Sequence, residues 1–82
     1  MSSALRGTLL QHLMDEGQAS LLVLAELSGY KVLTVRNALL RLRDVGLCVR
    51  TKTRDGEGYS LALYGLTKAG IEAALAIESE AV

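Results

Sequence analysis

Arg36 and Asn37 stand side by side in the stretch TVRNALLRLRDVG, and both side chains end in planar, forked hydrogen-bonding groups. A guanidinium can meet O6 and N7 of guanine with two parallel hydrogen bonds, and a carboxamide can do the same with N6 and N7 of adenine. Arg41 follows about one helical turn later, and Lys31 and Thr34 precede the pair. These three suit phosphate oxygens beside a groove. Thr34 has a second use, and the one its position favours: the hydroxyl cap of a helix that begins near it. Further along, Arg50, Lys52 and Arg54 recur at every second position. In an extended strand that spacing brings three cations to one face. There they could follow a phosphate backbone, reach into a minor groove, or guard a strand edge against self-association.

Other chemistry is poorly supplied. The chain has one histidine, His12, and one cysteine, Cys48, so it offers no Cys/His cluster with metal spacing and no internal disulfide. His12 flanks an apolar helical stripe as a boundary residue, and Cys48 opens a strand as a small packed residue. No nucleophile triad, P-loop or dinucleotide fingerprint is present. The expectation is no enzyme activity, no metal and no cofactor.

The formal net charge is zero, but its distribution is uneven. Residues 31–54 hold Lys31, Arg36, Arg41, Arg43, Arg50, Lys52 and Arg54 against Asp44 alone, a net of +6. Before them, Arg6 stands against Asp15, Glu16 and Glu26, a net of −2. After them, Lys68 stands against Asp55, Glu57, Glu72, Glu78 and Glu80, a net of −4. A basic block confined to the segment bearing the base-reading pair is the electrostatic footprint of a nucleic-acid partner.

These residues must be held by elements that the hydrophobic periodicity outlines. Leu5, Leu9 and Leu13, widened by Leu10 and Met14, predict a helix over about 3–15, ended by Gly17. Ser20 is placed to cap a second helix whose apolar faces come from Leu22, Val23, Leu24 and Leu27, and Gly29 stops it with a positive φ. A third helix over about 33–45 buries Val35, Ala38, Leu39, Leu42 and Val45. Leu40 lies off that stripe, suited to packing under the following hairpin or to touching a thymine methyl. Arg43 is expected to point away from a groove, toward Glu26 or a C-terminal glutamate.

From Leu47 the period changes to two. Asp55-Gly56-Glu57-Gly58 separates that run from the alternating Tyr59, Leu61 and Leu63, which predicts a hairpin. Gly65 is expected to break the second strand. Thr67 can then cap a last helix to about 78, with Ile71, Ala74 and Leu75 as its apolar stripe.

The segment order and two phrases, TVRNALLRLRDVGLCVR and YGLTKAG, resemble bacterial winged-helix regulators. The first resembles a recognition helix leading into a wing, and the second the wing exit of the MarR-like and PadR-like groups. The resemblance covers roughly residues 4–78. It implies base-contacting residues at Arg36 and Asn37 and a basic wing. MarR-like proteins add long helices for dimerisation and ligand binding, which this sequence does not display, so no small-molecule effector is expected.

The reading is a single α+β domain over 1–82, a small winged helix-turn-helix in the order α-α-α-β-β-α. The helix-turn-helix occupies about 20–46, a two-stranded wing about 47–66, and the C-terminal helix about 67–78. Half the residues are hydrophobic and the three aromatics are all Tyr, so the core must be aliphatic. A mean hydropathy of +0.29 leaves apolar surface for a partner, and a homodimer is expected. Neither a signal peptide nor an apolar run of membrane-spanning length is apparent, which points to the cytoplasm. The function expected is a sequence-specific double-stranded DNA-binding transcription regulator, a repressor of bacterial or phage type. The alternative is a protein-interaction module on the same scaffold, an adaptor or phage-encoded inhibitor.

Overall fold

Leucine spacing puts the first helix at the centre of the molecule. A computed structural model describes residues 3–54 and 60–80. Helix α1, Ser3–Glu16, buries Leu5, Leu9, Leu10 and Leu13, which lie on two adjoining faces and pack against the other three helices and the sheet. Gly17 ends it at φ +77°, where its N–H meets the Leu13 carbonyl at 2.9 Å. That left-handed backbone conformation favours glycine over residues with a Cβ.

Helix α2, Leu21–Ser28, begins as the sequence implies: the Ser20 hydroxyl accepts from the Val23 N–H at 3.3 Å. Gly29 closes it at φ +75°. Its burial is narrower than expected. Leu24 and Ala25 face the core, whereas Leu22, Val23 and Leu27 are exposed. A helix of 8 residues touching α1 and α3 on one side has only one face to bury.

Helix α3, Val32–Asp44, starts one residue early, and its N-cap is Lys31 rather than Thr34. Thr34 sits inside the first turn, on the exposed side. Val35, Ala38, Leu39 and Leu42 are buried as the stripe demands. Val45 is not: it is 65% exposed. The helix has already ended at that point, and Gly46 at φ +80° redirects the chain, so the 3.6-residue period no longer governs Val45.

Strand β2, Cys48–Arg54, pairs antiparallel with β3, Ser60–Leu66, from Cys48 opposite Leu66 to Arg54 opposite Ser60. The turn expected at Asp55–Gly58, and Tyr59, lie outside the described residues. Gly65 does not break β3; it pairs with Val49 on one side and with Gln18 on the other. That second pairing is a strand the sequence did not announce. Gln18–Ala19, β1, adds to β3 to give a three-stranded sheet in the order β1-β3-β2. Two residues are too few to show a period.

Helix α4, Lys68–Glu80, is capped by Thr67, whose hydroxyl accepts from the Gly70 N–H at 3.0 Å. Its buried side is Gly70 and Ala74, with Ala73 and Ile77 partly covered, while Ile71 and Leu75 are exposed. The stripe is rotated because Gly70 is pressed against the Leu47 carbonyl, where any Cβ would overlap the backbone oxygen. Gln11 of α1 ties the two helices by donating from Nε2 to the Ala74 carbonyl at 3.1 Å. None of the described helices is long and apolar enough to cross a membrane.

Candidate nucleic-acid interface

The buried stripe of α3 decides what the helix shows to solvent. With Val35, Ala38, Leu39 and Leu42 turned inward, the helical period turns Leu33, Asn37, Leu40 and Asp44 outward. Arg36 and Arg43 flank that face on one side, Thr34 and Arg41 on the other. All eight are exposed. Arg36 and Asn37 are therefore both accessible on the outer side of the helix.

Lys31 precedes this surface as the N-cap, exposed and without a side-chain capping bond. The turn before it is fixed by Ser28, whose hydroxyl donates to the Ala25 carbonyl and accepts from the Tyr30 N–H.

The start of strand β2 borders the C-terminal half of this surface. Leu40, Arg43 and Asp44 of α3 line a shallow cleft of about 360 Å³ with Cys48 and Val49 of β2. Arg43 lines this cleft with Cys48, and its charge favours the Cys48 thiolate. Burial outweighs that effect and pushes the Cys48 thiol up from its ordinary range. The thiol is packed in the core, with Sγ 3.7 Å from the Leu39 carbonyl. It carries the packing role expected of it. Leu40, 38% exposed, partly packs at the root of the hairpin and partly remains on the outer surface of α3.

Along β2 the basic residues alternate as the period requires. Arg50 and Lys52 are exposed, and their register partners on β3 are Tyr64 and Ala62. Arg54 closes the register opposite Ser60, and its side chain lies outside the described residues. The strand pleat gives Cys48, Arg50 and Lys52 the same face. The root of that face, Cys48 and Tyr64, enters the core, and its outer part continues as cations. One strand thus anchors the wing and charges it.

Of the eight residues singled out from the sequence, the fold gathers Arg36 and Asn37 on one helix face. Thr34 and Arg41 stand on its far flank, away from β2, and Lys31 at its start. Arg50 and Lys52 stand on the neighbouring strand. Leu33 was missed. It is 62% exposed on the same face as Asn37, and its type concealed it, because an apolar residue at a helix start reads as core. The signal was its spacing, four residues before Asn37 and seven before Leu40, off the buried stripe.

A second concavity lies on another side of the molecule. Gly7, Thr8, Gln11 and His12 of α1 are among the residues that, with Ala73 and Ile77 of α4, line a groove of about 780 Å³.

No protein-family model matches this sequence, and no curated protein does. Solved structures match it by fold. A MarR family transcriptional regulator from Silicibacter pomeroyi superposes with a TM-score of 0.77 at 24% identity, covering 90% of this chain and 48% of that one. NadR in complex with 4-hydroxyphenylacetate gives 0.78 at 22% identity, covering 90% of this chain and 51% of that one. PadR from Bacillus subtilis, in complex with operator DNA, gives 0.68 at 18% identity, covering 83% and 43%. The chain spans about half the length of the structures it matches. The first of these is a transcriptional regulator and the second holds a small molecule, so the likeness lends no support to the expectation that an effector is absent. Three helices, a wing that shares its sheet with the short strand β1, and a closing helix give this chain the winged helix-turn-helix fold of MarR-like and PadR regulators.

Proposed function

We propose that this protein is a sequence-specific double-stranded DNA-binding transcription regulator. Helix α3 enters the major groove with Arg36 and Asn37 on base edges. Lys31, Thr34 and Arg41 meet phosphates, and Arg50, Lys52 and Arg54 of the wing follow the backbone or the minor groove. The observation that carries this reading is the shared exposed face of Arg36 and Asn37 on α3, a helix followed in the chain by a strand with exposed Arg50 and Lys52. The solved complex of a neighbour of the same fold, PadR, with operator DNA supports it. A symmetric pair of domains on a two-fold half-site arrangement is the assembly that suits it. Repression in the cytoplasm of a bacterium or its phage is the setting.

Affinity for a duplex selected from random sequence, measured against unselected duplex over a range of salt, tests the proposal. The expected result is a selected site bound at least about 10³-fold more tightly than random DNA. Both affinities should fall steeply with salt. Failure to bind DNA at every salt concentration would refute it.

A protein-interaction module is the second reading. Its support is the exposed apolar surface that Leu22, Val23 and Leu27 give α2. It predicts a salt-insensitive complex with a single protein and no DNA affinity.

A further inference from the structure

Leu33 is the second residue of α3, and at 62% it is among the most exposed large apolar side chains on the molecule. Its neighbours on the helix surface are Arg36 at i+3 and Asn37 at i+4, with Leu40 one turn beyond, and all of them are exposed. An apolar side chain in that setting is uncovered in the free protein and gains from any apolar partner. A protein surface that covered Leu33 would also have to bury Lys31, Arg36 and Asn37, whose hydration is expensive to remove. The DNA major groove avoids that conflict, because it offers bidentate partners to Arg and Asn and one apolar feature, the C5-methyl of thymine. The first turn of a recognition helix is also the part that reaches base edges.

We propose that Leu33 is a specificity-determining residue that reads a thymine methyl group beside the base pairs met by Arg36 and Asn37. This rests on the DNA-binding reading above and adds to it the base class that the site must contain. Thymine is the C5-methylated base that unmodified duplex carries. Arg36 and Asn37 select by hydrogen bonds; Leu33 selects by covering a methyl that cytosine lacks.

Thymine-to-deoxyuridine replacement removes that methyl and leaves base pairing intact. In a duplex selected with the wild-type protein, each thymine is replaced singly and affinity is measured for wild type and Leu33→Ala. At one thymine per half-site, wild type should lose about fourfold, the factor that covering one methyl-sized group supplies. Leu33→Ala should bind the thymine and deoxyuridine duplexes equally there, and should melt like wild type, since Leu33 lies outside the core. If no thymine is sensitive, or if Leu33→Ala keeps the sensitivity, the assignment of Leu33 fails while DNA binding stands. If no duplex is selected at any salt, the DNA-binding reading fails and this inference with it.

Discussion

The Thr67 hydroxyl donates to the Gly46 carbonyl at 2.7 Å while accepting from the Gly70 N–H at 3.0 Å. One side chain thereby caps α4 and holds the residue at which the chain leaves α3. The Thr67 N–H adds a bond to the Leu47 carbonyl at 3.1 Å. Helix α3 is therefore positioned from its exit by the start of the last helix, 21 residues later in the chain. Removing the hydroxyl in Thr67→Ala should destabilise the domain by about 1–2 kcal/mol, and Thr67→Ser should recover most of it. Urea denaturation midpoints check both.

Two glycines in helices should respond oppositely to alanine. Gly70 has no room, since a Cβ there would run into the Leu47 carbonyl. Gly70→Ala should cost about 1–3 kcal/mol despite alanine's better helix propensity, because backbone must shift. At Gly7 a Cβ would stand 3.7 Å from Ile77 Cδ1, an ordinary contact. Gly7→Ala should stabilise by about 0.4–1 kcal/mol. Thermal melts of the two variants separate packing from propensity.

Burial on α3 sets a second contrast. Leu39 and Leu42 are 0% and 1% exposed, and Leu→Ala at either should cost about 2–5 kcal/mol. Val45 is 65% exposed, so Val45→Ala should change stability by less than about 0.5 kcal/mol. A large loss at Val45 in chemical denaturation would mean that the helix extends further than its hydrogen bonds indicate.

On the outer face of the same helix, Arg36→Ala and Asn37→Ala should each weaken binding to a selected duplex by about 1–3 kcal/mol. Far-UV circular dichroism and melting temperature should stay at wild-type values, because both side chains are exposed. Wild-type affinity in both variants would remove α3 from the role of reading helix.

The wing should act as a charge unit. Neutralising Arg50, Lys52 and Arg54 one at a time should weaken selected and random duplexes alike. The salt slope should fall by about 1 for every phosphate that the wing no longer neutralises. If the charges only protect the edge strand β2, the triple alanine variant will aggregate but keep its affinity and slope. Binding curves at several salt concentrations decide.

The sequence by itself determined the helices and the wing, because those depend on local periodicity and on glycine and hydroxyl signals. Leucines at helical spacing placed α1, Ser20 and Gly29 bounded α2, and alternating cations marked β2. The exposure of Arg36 and Asn37 was legible too, since residues off a buried stripe must face outward. What only the tertiary structure decided was which apolar residues are covered. Leu22, Val23, Ile71 and Leu75 share the residue type of the core yet stay exposed, because a helix buries only the side its neighbours meet. The strand β1 arises from pairing with Gly65 and Tyr64, residues far along the chain, and two residues carry no period of their own. Val45 escapes the stripe at the point where Gly46 turns the chain. Leu33 escaped notice for the same reason in reverse: hydrophobicity announces a wish for cover, and only the packing of the other elements shows that none is supplied.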